Sequence, residues 1–308
     1  MKISYLPFKS YIFGALALIP FLTISNYNKA DYTFSSQTII NGTLGLAKRL
    51  GILKAKIILR ESNSIFELLS GFKLKIYSLF YNLGYKGSSL VICQTDYMKD
   101  QLVKALPDLT LKMNLVTVAN PFNFDDVQSK SGALAPDFKN KRFLVAAGRL
   151  APAKGFDLLI TAFSEIQKEH IYLELIILGE GGDRQLLDEQ IHQLDLQQSV
   201  HLPGYVRNVY SYFRAAEACI LSSRIEGFPN VLLQMMSQNT TVVATHSAGG
   251  IDEISGIFTC PPEDTKALEN SILEALETKT EHNRKIFDAF LKSRTQIAFY
   301  SKMMQYIE

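Results

Sequence analysis

Arg149 and Lys154 lie five positions apart in the stretch Gly148-Arg149-Leu150-Ala151-Pro152-Ala153-Lys154-Gly155, and together they could grip a diphosphate. A guanidinium holds phosphate oxygens as a fork and an ammonium holds them as a point charge, while the glycines let backbone come close to a ligand. The alternative is a solvated turn carrying two surface cations. A second stretch, Glu226-Gly227-Phe228-Pro229-Asn230-Val231, follows the apolar run that ends in Leu221-Ser222-Ser223. Pro229 suits the first turn of a helix, whose unpaired N–H groups form an anion site, and Gly227 has no side chain to block it. Glu226 would aim a carboxylate at the same spot, able to accept hydrogen bonds from sugar hydroxyls. Its other reading is an acid that only complements the helix dipole.

The elements that must carry these loops are short apolar runs alternating with helical stretches. Strands are expected at Tyr32–Phe34, Lys56–Leu59, Leu90–Gln94 and Leu115–Val118, with helices after each of the first three, one of them over Phe66–Tyr81. Ser129–Asp137, rich in small and polar residues, reads as a linker. Beyond it, strands are expected at Phe143–Ala147, Ile171–Leu178, Val200–Leu202, Ala218–Leu221 and Thr241–Ala244. Such alternation indicates an α/β chain with parallel sheets covered on both faces, and two halves of this kind make two Rossmann-like domains. Ligands then bind at the carboxyl ends of the strands, where both stretches above fall. The expected division is 1–138, 139–281, and a terminal helix over 282–308 whose Phe287, Phe290, Phe299, Met303 and Met304 need a surface to cover.

Composition supports two domains. The chain has 308 residues, 47% hydrophobic and 20% charged, enough for sizeable cores and against disorder. Three separated cysteines make no disulfide framework or zinc module and suit a reducing compartment. The net charge of +2 is uneven: residues up to Phe138 hold 15 Lys and Arg against 9 Asp and Glu. That basic half is compatible with an anionic membrane surface or a phosphate-bearing substrate, and no block is dense enough for nucleic acid. Lys2 and Lys9 precede an apolar run, Tyr11–Leu22, that is shorter than the about 20 residues a span requires, contains Pro20, and leads to no cleavage site. It reads as an ordinary amphipathic or buried helix, ahead of a membrane-surface contact or a cryptic signal. The glycosylation sequons at Asn41 and Asn239 read as chance.

Gly148-Arg149-Leu150…Lys154-Gly155, Gly179-Glu180-Gly181, Gly204-Tyr205-Val206, Ser223…Glu226-Gly227-Phe228-Pro229-Asn230-Val231 and Gly249-Gly250-Ile251 occur in one order over residues 140–265. As a set they resemble the donor domain of the retaining glycosyltransferase family 4, whose two Rossmann-like domains face a cleft (the GT-B fold). Weaker likeness runs back through Asn120-Pro121, Val91–Lys99 and Leu59-Arg60-Glu61. The resemblance implies that Arg149 and Lys154 hold the donor diphosphate and stabilise its departure, with Gly148 opening that loop. It implies that Glu226 contacts the donor sugar while backbone around Gly227, Phe228, Pro229, Asn230 and Val231 grips sugar and phosphate. Gly204, Tyr205 and Val206 would lie against the nucleobase, and Arg60 or Glu61 would face the cleft from the acceptor side. The donor would be a UDP- or GDP-linked sugar, the acceptor a growing lipid-linked glycan of a bacterial surface polysaccharide such as lipopolysaccharide or capsule. The setting would be cytoplasmic, at the inner face of the plasma membrane, with no cofactor.

The chemistry agrees with that implication. A departing nucleoside diphosphate develops negative charge that two cations and a helix N-terminus can receive without a metal. No Asp-x-Asp, His-x-x-x-His or Cys-x-x-Cys occurs in the chain. Two departures stand out. The family usually has a second glutamate eight positions after the first, where this chain has Gln234, which can still hydrogen-bond a ribose hydroxyl but lacks the charge. The acceptor half also lacks the family's opening Gly-rich loop and roughly two βα units, so a shortened acceptor domain is expected. A second hypothesis is therefore a catalytically impaired GT-B-like binding or scaffold protein. A third, a dinucleotide-dependent oxidoreductase resting on Gly179-Glu180-Gly181-Gly182, fails because the third glycine of that fingerprint is missing and the loop sits mid-chain. His201 reads as a strand-end histidine and Cys219 as core.

Overall fold

The computed structural model describes residues 11–24, 30–123, 127 and 138–307. The expected linker at 129–137, and Lys2 and Lys9, lie outside the described residues. The chain divides into two compact units: Met1–Ala119 with Phe299–Glu308, and Asn120–Ala298.

The first unit is built on four parallel strands in chain order, β1 (Tyr32–Ser35), β2 (Lys56–Arg60), β3 (Leu90–Cys93) and β4 (Leu115–Thr117). Because side chains alternate along a strand, Ile57, Leu59, Val91 and Cys93 enter one core while Ile58, Leu90, Ile92 and Val116 enter another. Both faces are thus covered, as continuous apolar strands demand. The helices Thr38–Arg49 and Gly71–Gly84 supply the first cover. The second is closed by the C-terminal helix Gln296–Met304, whose Met303 and Phe299 pack on Ile58, Leu90 and Ile92. Helix Tyr11–Ile24 lays Leu18, Ile19 and Leu22 on the first core. Among the described residues, no helix is long and apolar enough to cross a membrane.

The second unit holds six parallel strands: β5 (Arg142–Ala147), β6 (Leu173–Leu178), β7 (Val200–Gly204), β8 (Ala218–Leu221), β9 (Val242–Thr245) and β10 (Phe258–Cys260). Their order across the sheet is β10-β9-β8-β5-β6-β7. The chain starts in the middle at β5, winds outward through β6 and β7, then returns to the other side of β5 with β8. This is the doubly wound order, and its switch point lies between β5 and β8, paired at Leu144–Ala218 and Val145–Cys219.

Several boundaries differ from the expectations. The units part at Ala119/Asn120 and not at 138/139, because Phe122 enters the second unit's core and its N–H donates to Arg294 O at 2.6 Å. Residues 282–308 form two helices, not one. Asn283–Lys292 buries Phe287 and Leu291 in the second unit, and only the segment from Phe299 onward belongs to the first. The stretch expected as one helix over Phe66–Tyr81 is divided into Ile65–Leu68 and Gly71–Gly84. Ile171 and Tyr172 stay outside β6 and are exposed. Both sequon asparagines are structural: Asn41 is buried and donates to Tyr85 Oη at 3.0 Å, and Asn239 donates to Phe213 O and Ala216 O at 2.7 and 2.8 Å.

Candidate active site

The loops that follow β5 and β8 leave the sheet on either side of the switch point. After β5 the chain makes a short 3-10 turn, Pro152–Lys154, and enters helix Phe156–Glu169 through Gly155. Gly155 has φ +61°, and a Cβ there would stand 2.2 Å from Ser222 O, so only glycine allows the two loops to meet so closely. The loops are then stitched together. Ser222 Oγ donates to Lys154 O at 2.9 Å, and Arg224 N donates to Ala153 O at 2.9 Å.

The Arg224 side chain adds a clamp. Its two terminal nitrogens donate to both carboxylate oxygens of Asp157 at 2.7 and 2.6 Å, and Nε meets Glu263 at 2.8 Å. Partial burial works to raise the Asp157 carboxyl, but the hydrogen bonds and charge of Arg224 outweigh it and hold the group below its ordinary range. One side chain therefore fixes the loop after β8 to the helix after β5 and to the segment after β10.

This stitching brings Lys154 and Glu226 together although 72 residues separate them. The Lys154 ammonium donates to Glu226 Oε1, which also accepts from Ser223 Oγ at 2.8 Å. The Glu226 backbone is anchored as well, its N–H donating to Ser247 O at 2.7 Å. Arg149 is exposed in the same loop as Lys154, and its guanidinium has no protein partner among the described residues. Gly227, Phe228 and Pro229 are buried, and Arg294 stacks its guanidinium over Phe228 with 4.8 Å to the ring centroid. Pro229 stands at the N-cap of helix Asn230–Gln238, one position before its expected place in the first turn. Asn230 is exposed at the helix start and accepts from Asn120 Nδ2 at 2.9 Å, while Val231 is half-buried against the core.

The loops after β6 and β7 join this group through backbone. Gly148 N donates to Leu178 O, and Gly179 N donates to Gly204 O, both at 2.9 Å. Gly179 has φ +139°, and a Cβ there would stand 1.9 Å from Gly148 O. Beyond Gly204, Tyr205 is 81% exposed and Val206 packs on the core. Gln234 points its amide at Tyr210 Oη, 3.2 Å away. The structure therefore gathers Gly148, Arg149, Lys154, Gly204 and Glu226–Asn230 at the carboxyl end of one sheet.

Arg60 and Glu61 belong to the other unit, and Glu61 departs from its expected place. It is 2% exposed, turned into the interior of its own unit, where Tyr81 Oη and Tyr85 Oη both donate to its carboxylate. Burial pushes this carboxyl above its ordinary range, against the hydrogen bonds from Tyr81, Tyr85 and Asn41 that favour the charged form. Glu61 therefore does not face a cleft; it ties β2 to helix Gly71–Gly84. Arg60 is half-buried, with Nη1 at 3.4 Å from Ser62 Oγ.

Ser222, Arg224 and Asp157 escaped the reading of the sequence, and Ser223 was part of the motif without a role of its own. Ser223 alone had a signal there, three residues before Glu226; the Arg224–Asp157 pair spans 67 residues and has none. Among the described residues, no group of three or more His, Cys, Asp and Glu side chains is placed to hold a metal ion.

Comparison with known proteins identifies the family of this α/β unit. The pattern of the glycosyl transferases group 1 matches residues 134–289, covering the second unit's sheet and both loops. An uncharacterized glycosyltransferase of Methanocaldococcus jannaschii is 27% identical over 240 residues, 76% of this chain and 58% of the relative. The N-acetylgalactosamine-N,N'-diacetylbacillosaminyl-diphospho-undecaprenol 4-alpha-N-acetylgalactosaminyltransferase of Campylobacter jejuni is 26% identical, covering 82% of this chain and 68% of that one. Among solved structures, Anabaena HepE in complex with UDP superposes with a TM-score of 0.77 at 17% identity, over 94% of this chain and 80% of the other. That likeness bears out the expected α/β fold with parallel sheets. With half the chain matched by the family pattern and the same residues assembled at the switch point, the chain belongs to the glycosyl transferases of group 1.

Proposed function

We propose that this chain transfers a hexosyl unit from a UDP- or GDP-linked sugar to a growing, lipid-linked glycan of a bacterial surface polysaccharide, with retention at the anomeric carbon, in the manner of family 4. The observation that carries the reading is the Lys154–Glu226 pair across the switch point, with Arg149 exposed in the same loop as Lys154. A site that sets an ammonium against a carboxylate offers one substrate a cation for its diphosphate and an acceptor for its hydroxyls. The diphosphate competes with Glu226 for Lys154, and the released carboxylate accepts from sugar hydroxyls. In the reaction the anomeric C–O bond to the diphosphate breaks as the acceptor oxygen bonds to the same face. The acceptor hydroxyl gives its proton to the departing diphosphate, whose charge Arg149, Lys154 and the start of helix Asn230–Gln238 receive. Gly204, Tyr205 and Val206 border the nucleobase, and Gln234 hydrogen-bonds the ribose. The undecaprenol-linked substrate named for the Campylobacter relative, together with the basic first half of the chain, supports the lipid-linked acceptor and a place at the inner membrane face.

Calorimetric titration with UDP, GDP and ADP, then with the matching sugar nucleotides, tests the donor site. One nucleotide should bind, and its sugar conjugate should bind more tightly. Glu226→Ala should weaken the sugar nucleotide about tenfold or more, the worth of a hydrogen bond to a charged group. It should leave the free nucleotide unchanged or tighter, because Lys154 loses its competitor. Equal weakening of both ligands would remove the sugar contact, and no binding at all would favour a scaffold protein.

The cations replace a metal in this reading. Transfer should therefore be unaffected by EDTA, and restoration of lost activity by Mg²⁺ or Mn²⁺ would overturn it.

A further inference from the structure

Helix Gly71–Gly84 is apolar on two opposite sides. Its inner side carries Leu74, Tyr77 and Tyr81 onto the first unit's core and lies hard against helix Thr38–Arg49, where a Cβ on Gly45 would stand 1.9 Å from Gly84 O. At 100° per residue, Phe72, Ile76, Leu79 and Leu83 form a second stripe on the opposite, outward side. Phe72 is 77% exposed and Leu79 54% exposed. A helix inside a soluble fold turns polar residues outward, so a second apolar stripe marks a surface that meets something. The residues flanking it say what. Lys73 and Lys75 are exposed on either side of the stripe, and Lys86 is exposed just beyond the helix end. No Asp or Glu occurs between Glu67 and Asp96.

Apolar side chains bordered by lysines, with acid excluded from the surrounding sequence, suit a surface that is oily inside and anionic at its rim. We propose that the outward face of helix Gly71–Gly84 docks on an anionic lipid bilayer, with Phe72 and Leu79 entering the headgroup boundary and Lys73, Lys75 and Lys86 engaging lipid phosphates. Long lysine stems can lie along the apolar stripe while their ammonium groups reach the phosphates. The lipid-linked acceptor proposed above gives this docking a purpose. The docking deepens that reading, but its test needs no sugar transfer.

The full chain is sedimented with phosphatidylcholine vesicles, with and without phosphatidylglycerol. It should pellet with the anionic vesicles only, and less as salt rises. Lys73→Gln with Lys75→Gln should weaken partitioning about thirtyfold, from roughly 1 kcal/mol per lysine at such a surface. Phe72→Ser with Leu79→Ser should weaken it about tenfold or more. Both pairs replace exposed side chains, so thermal unfolding and nucleotide binding should match the unaltered chain. If the apolar pair proves unstable, the lysine pair still decides. Unchanged pelleting in the lysine pair, equal binding to neutral vesicles, or no binding would overturn the proposal. So would concentration-dependent dimerisation without lipid that Phe72→Ser with Leu79→Ser abolishes, since a second copy would then cover the face. Failure of nucleotide binding in the unaltered chain counts against the donor site and leaves the vesicle result standing.

Discussion

Lys154→Ala is expected to lower sugar transfer about 10²–10³-fold, the usual effect of removing one preorganised donor from a developing anion. Lys154 is the cation closest to Glu226, held in a turn that Gly155 and Ser222 lock from below. Its loss also strands a half-buried carboxylate whose remaining side-chain donor is Ser223 Oγ. Part of any loss could therefore be structural, and a second variant separates the two effects. Lys154→Ala with Glu226→Ala removes the stranded charge, so its thermal stability should recover relative to Lys154→Ala while transfer stays low. Steady-state rates at saturating donor and thermal unfolding of all three variants measure this. Retained turnover in Lys154→Ala would remove the diphosphate role.

Gly179→Ala should have the largest effect on stability. The new Cβ meets the backbone oxygen of Gly148 at 1.9 Å, and an alanine disfavours φ +139°. Backbone on both sides of the contact is already committed, with Gly148 N on Leu178 O and Gly179 N on Gly204 O. Neither strand end can yield without breaking the stitching of three loops. A loss of about 3 kcal/mol is expected, or roughly 6–12 °C in the unfolding temperature of the second unit. Gly182→Ala is the control, since nothing lies within 4 Å of a Cβ there. Calorimetry that shows equal unfolding temperatures for the two variants would reject this reading of the loop.

Much of the fold was legible because strands and helices are local patterns. The runs expected as strands at Phe143–Ala147 and Leu90–Gln94 are strands buried on both faces, the second of them ending at Cys93. The short β10 was missed because Phe258–Cys260 pairs only with β9 at the sheet edge and shows little apolar run of its own. The domain boundary was misplaced because a stretch of small polar residues resembles a linker, whereas the actual division depends on where Phe122 packs.

The candidate site divides the same way. Sequence by itself determined the chemical groups: two cations after one strand, a carboxylate and a helix start after another, and glycines where backbones must approach. It also determined the parallel, doubly covered sheets, since spacing and side-chain type are properties of neighbouring residues. Only the tertiary structure decided that Lys154 meets Glu226, because that follows from β8 returning beside β5, a pairing between segments more than 70 residues apart. The same holds for Arg224 on Asp157, for Glu61 turned inward to Tyr81 and Tyr85, and for the stripe of Phe72 and Leu79 left outside. Each depends on which faces the packed elements use up, and a helix apolar on both sides does not announce which one its neighbours will bury.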